Sequence, residues 1–488
     1  MKPFQILTYL LIILFALALI ALMFPKGNIF ISDTLKLKFI SFNDIFFTKK
    51  IEYANISNII SKQKKNIEIS ENNKINNSNN TYSLISSDNT GVIADSLLKI
   101  DQKIEYPGND STILYSFFNS MFKHEGVIRV LHYGDSQIEG DRISSYIRRR
   151  LQSKFGGGGI GLFSVVDPGD VATSLNKSHS ENWKRYTLYG KRDTSVHHKK
   201  YCVLESFSRF APVRNDSIFV DTANYSAWIT IKNLNQYKKN IKQCRILCGN
   251  NKRPVSINFY NKNVQEKSEI LSPNSNLNII EWNFEETPEE ITIKFQGKDS
   301  PDIYAIALDG NTGIAVDNIP MRGSAGLDFN KMDLELLKNS FEKLNVKLLI
   351  LEFGVNVVPN EVEDYGYYET WFYSQLKSLK RIKPDISIIV IGVSDMSKKV
   401  GDHYESFSNI EKIRNAQRNA SFKAGCAFWD LYKAMGGKNS MPSWVLANPT
   451  LASKDFTHFN YEGAKIIAEM FYNSLFFEYN EFKKTKAN

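Results

Sequence analysis

The chain has 488 residues, of which 42% are hydrophobic, 12% aromatic and 23% charged, a balance near the globular average that excludes a wholly disordered, collagen-like or polytopic membrane chain. At roughly 100 to 200 residues per domain, this length calls for two or three structural units. Against 52 acidic residues stand 61 basic ones, a net charge of +9; that excess suits acidic polymers or solubility, and no basic-aromatic motif of a nucleic-acid module accompanies it. Four cysteines are too few for a disulfide scaffold.

From Phe4 to Phe24 the sequence FQILTYLLIILFALALIALMF carries no charge. Its length suffices to cross a hydrocarbon core of about 30 Å as a helix. A cleaved signal peptide has a shorter apolar core and ends in small residues, whereas this run ends in Met23-Phe24-Pro25-Lys26, so residues 1–26 read as an uncleaved transmembrane anchor. Residues 27–92 follow as a low-complexity tether. From about 49 to 92 they are rich in Asn, Ser, Lys and Ile and lack any sustained period on which to build a core.

Beyond the tether, apolar runs of strand length alternate with amphipathic runs of helix length, the pattern of a parallel α/β sheet. Val127 to Tyr133 is the first expected strand, with a helix predicted over Glu139 to Phe155. Later strands are predicted at Ile303 to Leu308, Val346 to Phe353, Ile386 to Val393 and Cys426 to Leu431. Helices fall near 328–344, 361–382 and 408–424, and a last one runs from Tyr461 to Phe477. Between about 165 and 300 the alternation stops. SAWITIKNL, CRILCG, VSINFYNK, NIIEWNF and EITIKFQG read there as short strands between turns. The predicted organisation is an α/β domain in two parts, 93–164 and 301–488, interrupted by an inserted all-β module over 165–300.

Gly134-Asp135-Ser136 directly follows the first strand, which places Ser136 at the carboxyl edge of the sheet, where open α/β folds bind ligands. A serine hydroxyl needs a base to take its proton, and the base needs a carboxylate to hold its tautomer. Asp455 and His458, three residues apart ahead of the last helix, can supply that pair. Gly354-Val355-Asn356 ends the strand VKLLILEF, and Arg322-Gly323-Ser324-Ala325-Gly326 follows the run around Tyr304. Both stretches offer donors for an oxyanion hole. Each of the four blocks, taken alone, is also an ordinary turn or helix cap.

Together these four blocks resemble the SGNH, or GDSL, hydrolase family. That resemblance implies a flavodoxin-like three-layer α/β fold in which Ser136 is the nucleophile, His458 the base and Asp455 its orienter. It also implies oxyanion donors in the Ser136 N–H, the Gly323 N–H and the Asn356 side chain, although Gly326 fits the glycine's spacing as well. The stretch HYGDSQIEGDR, with a β-rich insertion after it, is similar to the branch of bacterial peptidoglycan and polysaccharide O-acetylesterases, in which a jelly-roll-like carbohydrate-binding module is inserted. Gln137 and Val357 depart from that family's common choices.

The implied protein is a single-pass inner-membrane serine esterase with its catalytic domain in the periplasm or otherwise outside the cytoplasm. It removes O-acetyl groups from an acetylated polysaccharide, such as peptidoglycan or an exopolysaccharide, and needs no cofactor or metal. One rival is an O-acetyltransferase using the same triad. Another is a glycan-binding envelope protein without activity, against which the intact Ser, Asp, His and Asn argue.

Other features read as structural. Gly156 to Gly159 lacks the Lys-Ser/Thr of a phosphate loop, and Arg148 to Arg150 is a charged helix run of a usually solvated kind. His197, His198, Cys202, Cys244 and Cys248 match no common zinc spacing. Cys244 and Cys248, on one face of a strand, stand too far apart for a mutual bridge, while pairing of either with Cys202 stays open. Trp183, Trp228 and Trp282 are candidates for stacking on sugars or for the module's core.

Overall fold

The computed structural model describes residues 3–23, 29–30, 36–37, 51–61, 102–123, 126–167, 175–213, 223–234 and 240–487, which belong to two units, Met1–Glu52 and Tyr53–Asn488. In the first unit Pro3–Met23 is one helix, and Ile29–Phe30 pairs antiparallel with Lys36–Leu37. Among the described residues no helix is long and apolar enough to cross a membrane. The side chains described run from Pro3 to Leu19, which as a helix measure about 26 Å, short of the roughly 30 Å of a hydrocarbon core. The expected span to Phe24 therefore lies partly outside the described residues, as does the stretch 62–92 of the expected tether. Within the tether's expected bounds, Ala54 donates its N–H to Asn439 O and accepts from Ser443 Oγ, and Ile56 is buried. Those contacts place residues 54–56 on the folded body.

Five strands form the central sheet of the second unit: β1 (Val127–Gly134), β2 (Gly313–Pro320), β3 (Val346–Glu352), β4 (Ser387–Ile391) and β5 (Ala427–Trp429). They lie in the order β2-β1-β3-β4-β5, with every pair parallel. Alternation within β1 divides the core. Ile128 and Val130 face one apolar cluster with helices α1 (Tyr115–Lys123), α2 (Ser144–Phe155) and α6 (Tyr461–Ala487). Leu131 and Tyr133 face the other, with α3 (Leu334–Lys343), α4 (Gly366–Ile382) and α5 (Ile410–Lys423). Three layers in this strand order make the flavodoxin-like arrangement, which binds ligands outside the carboxyl ends of its strands near the switch in strand order.

The predicted strand Ile303 to Leu308 is present as Asp302–Asp309, but it lies in the module, antiparallel to Gln243–Gly249. Its place in the central sheet belongs to β2, GIAVDNIP. A run buried on both faces reads the same in either sheet. β2 hides its identity behind Asp317, which is buried because Arg129 of β1 donates to both of its oxygens at 2.7 and 2.9 Å.

The module extends from Gly161–Phe163, which pairs with Asp302–Asp309, and so starts slightly earlier and ends slightly later than 165–300. One sheet has five strands and the other six, all pairings antiparallel. The five strands expected there all form. Val264–Leu271, VQEKSEIL, is an addition whose mostly exposed polar side chains leave no apolar alternation to find. The four cysteines are buried and unbridged, and burial pushes each thiol up to about 12. Trp183 and Trp282 are core residues, whereas Trp228 is partly exposed.

Candidate active site

β1 stops at Gly134, where any Cβ would sit 2.8 Å from Glu352 O of β3. The chain then turns through Asp135, whose carboxylate caps the short turn Ser136–Asp141 by accepting the Gln137 N–H at 3.0 Å. Its other oxygen accepts the Gly354 N–H at 3.1 Å, joining the serine turn to the Asn356 loop. The helix expected from Glu139 begins at Ser144 instead, because Glu139 is extended and Gly140 left-handed.

Ser136, half-buried, donates its hydroxyl to His458 Nε2 at 2.7 Å. The opposite ring nitrogen, Nδ1, is 2.7 Å from Asp455 Oδ2. The remaining Asp455 oxygen accepts the N–H groups of Thr457 and His458 at 3.0 and 3.1 Å. Partial burial raises the Asp455 pKa, but the ring and backbone donors outweigh it and hold this carboxyl below the ordinary range. Asp455 is thereby kept ionised beside the imidazole. Residues 322 positions apart in sequence thus meet as a serine-histidine-aspartate array at the carboxyl end of the sheet.

Asn356 is exposed and uses its amide Nδ2 once, to Ser324 O at 3.0 Å, so its second N–H remains for an oxyanion. The two candidate glycines separate clearly. Gly326 has φ 75°, and a Cβ there would meet the Phe353 ring at 2.8 Å; its N–H is taken by Ser324 Oγ at 3.0 Å. Gly323, with φ 83°, has nothing within 4 Å of a built Cβ and is exposed. Gly326 is thus a packing glycine, and Gly323 is the one open to a ligand.

Three side chains tie these loops together in ways that spacing does not disclose. Gln137 donates to Thr457 O at 2.7 Å and to Ser394 Oγ at 3.1 Å, and accepts the Phe459 N–H at 3.3 Å. Arg142 donates to Ser136 O, Phe459 O and Glu139 O at 2.7, 2.7 and 2.8 Å. Arg322 forks onto Glu139 at 2.5 and 2.7 Å. The one available signal was Gln137's departure from the family's usual residue; nothing in the sequence marks Arg142, whose partners are all main-chain oxygens.

Among the described residues no group of three metal-ligating side chains occurs.

No protein-family model and no curated protein matches the sequence. Among solved structures the chain is similar to a peptidoglycan O-acetylesterase, with a TM-score of 0.60 and 19% identity over 78% of this chain and 99% of that one. A family two carbohydrate esterase from Cellvibrio japonicus aligns with a TM-score of 0.25 and 8% identity, over 62% of this chain and 99% of that one. A GDSL-like lipase from Parabacteroides merdae aligns with a TM-score of 0.24 and 16% identity, over 33% and 72%. The fold, a parallel α/β sheet interrupted by an inserted β module, is shared with the peptidoglycan O-acetylesterase structure over nearly all of that chain.

Proposed function

We propose that this chain is a membrane-anchored serine esterase that removes O-acetyl groups from an envelope polysaccharide, peptidoglycan or an exopolysaccharide, outside the cytoplasmic membrane. The observation that carries the reading is the pair of 2.7 Å contacts from Ser136 to His458 and from His458 to Asp455. His458 Nε2 takes the hydroxyl proton as Ser136 Oγ attacks the ester carbonyl carbon, and Asp455 stabilises the resulting imidazolium. The carbonyl oxygen gains charge against the Ser136 N–H, the Gly323 N–H and the Asn356 amide. As the tetrahedral species collapses, the bond from carbonyl carbon to sugar oxygen breaks and His458 passes its proton to that oxygen, which leaves as the sugar hydroxyl with acetyl-Ser136 behind. Water, deprotonated in turn by His458, then releases acetate and restores the serine.

Anchoring is supported by the helix Pro3–Met23, whose apolar side chains are exposed on every face, Phe4, Leu7, Leu11 and Phe15 as well as Ile6, Tyr9, Ile13 and Leu17. An uncharged helix that is apolar all round belongs in a core or a bilayer.

The test uses the full-length protein with acetylated peptidoglycan and acetylated exopolysaccharides, assaying free acetate and acetylated acceptor sugar separately. Free acetate, abolished by Ser136→Ala and His458→Ala and reduced by Asp455→Ala, is expected. Acetylated acceptor in place of acetate would make it a transferase, and a folded Ser136→Ala protein with full turnover would remove the serine mechanism. For the anchor, a reporter fused after residue 90 should lie outside the cytoplasm, with the chain resisting high-salt extraction from membranes; a shortened soluble form would refute it.

A further inference from the structure

A cleft runs between the β module and the edge of the central sheet. On the sheet side its lining begins at Glu139, three residues beyond Ser136, and ends at Pro320, three residues before Gly323. The module supplies the other wall, including Leu162, Lys177 and Arg185. An occupant of this cleft is therefore close enough in chain terms to belong to the same molecule as a group held at Ser136.

Among the described residues the charges lining the cleft do not cancel. Glu139 is paired with Arg322, Asp141 with Arg148 at 2.5 Å, and Asp167 with Lys177 at 2.7 Å. Arg185 has no carboxylate partner among the described residues. Its guanidinium donates only to neutral oxygens, Tyr189 Oη at 2.9 Å and Ser206 Oγ at 3.1 Å, and those contacts leave Nη1 without a bond. Three carboxylates are balanced by three cations, and one half-buried guanidinium remains facing the cleft. A planar guanidinium in a partly desolvated wall suits a carboxylate geometrically as well as electrostatically.

We infer that this cleft holds the part of the polymer next to the acetylated sugar, and that Arg185 binds a carboxylate carried by that neighbouring sugar. This inference rests on the esterase reading of Ser136 and narrows its substrate to acidic polysaccharides. The chain's net charge of +9 favours the same partners. Arg185 also has a second task to be separated from the first: Tyr189, which it holds, donates to Pro320 O at 3.2 Å, and Pro320 leads into the Gly323 loop.

The experiment compares hydrolysis of an O-acetylated polyuronate with that of a neutral O-acetylated xylo-oligosaccharide by the full-length protein. Arg185→Gln should reduce the ratio of kcat/KM for the acidic over the neutral substrate about tenfold, mainly through KM, and Arg185→Lys should recover part of it. Added salt should lower the wild-type ratio. Tyr189→Phe, which removes the link to Pro320 and keeps Arg185, should lower kcat on both substrates and leave the ratio in place. Equal losses on both substrates in Arg185→Gln would overturn the inference and leave Arg185 as a brace. If the wild type hydrolyses neither ester, calorimetric binding of deacetylated polyuronate oligomers still decides: about tenfold weaker binding by Arg185→Gln is expected, and equal affinity refutes the carboxylate site independently of the chemistry.

Discussion

Gln137 sits beside Ser136 and ties its side-chain amide to the loop that carries His458, donating to Thr457 O and accepting from the Phe459 N–H, with its other N–H on Ser394 Oγ. Leucine at this position fills a similar volume and makes none of these bonds, so His458 loses the support that sets its distance from Ser136. Gln137→Leu should lower kcat about tenfold with little change in KM, since positioning and not ground-state binding is lost; a change confined to KM would assign Gln137 to the substrate instead. Asp135 poses a different problem. Enclosed next to Glu352, it is pushed up to about 7 by burial, against the pull of its backbone donors at Gln137, Val355 and Gly354. Burial moves Asp302 and Asp395 the same way, each to about 6. A folded-state value above the unfolded one, about 3.9, gives a contribution that is complete below that value and lost as pH rises through the folded value. The melting temperature should therefore fall between about pH 4 and 7, and less so in Asp135→Asn, as thermal denaturation across buffers will show; a flat or rising profile in the wild type contradicts it. The triad residues were legible because their chemistry demands particular side chains in particular blocks. Gln137 and Arg142 serve by reaching across to main-chain oxygens, which any sequence supplies, and so leave no pattern.

Loops at the carboxyl ends of β1, β2 and β3 bring the parts of the site together, and the β2 loop shows how alike two glycines look until they are packed. Alanine at Gly326 meets the Phe353 ring and a left-handed backbone at once, which should cost about 1 to 3 kcal/mol. At Gly323 the same change meets open space and only the backbone preference, about 1 to 2 kcal/mol, yet it turns the N–H proposed for the oxyanion. Gly326→Ala should thus show the larger drop in melting temperature, and Gly323→Ala the larger loss of kcat relative to its loss of stability. The reverse order would move the oxyanion role to Gly326. The elements themselves were largely legible: helices α2 to α6 and the strands β1, β3, β4 and β5 fall near where apolar periodicity puts them, whereas the short α1 was not anticipated. The error at Ile303 to Leu308 came from the one stretch where the module rejoins the sheet. There Asp302–Asp309 and β2 follow each other closely, both are almost wholly buried, and burial on both faces erases the alternation that tells a sandwich strand from a parallel one.

At the scale of the whole molecule, the insertion and the hydrolase domain share a core, although the sequence presents the insertion as a separate binding module. Tyr133 of β1 donates to Val203 O at 2.7 Å, and a single apolar cluster contains Leu131, Tyr133 and Met321 of the hydrolase together with Tyr186, Val203 and Phe207 of the module. Electrostatics join the two parts as well. Arg129 of β1 is fully enclosed and reaches Asp317 of β2 and Asp309 of the module, and Asp309 also accepts from Arg245. None of this could be read from spacing, because the partners of Arg129 lie 180 and 188 positions away. A buried ion network costs desolvation to assemble but is strongly destabilising to break, about 3 to 5 kcal/mol when one partner is removed. Arg129→Met leaves the buried Asp317 without a cation and Asp309 with Arg245 alone and should lower stability by about that amount, while the volume of the side chain is nearly kept. Because module and sheet share both the cluster and the network, opening either one exposes the other. Calorimetry on the full chain should therefore show the module and the hydrolase domain melting in one cooperative transition, which Arg129→Met shifts to lower temperature as a whole. Two resolved transitions, with only one of them moved by Arg129→Met, would mean that the module folds alone and that the shared core does not couple the two parts.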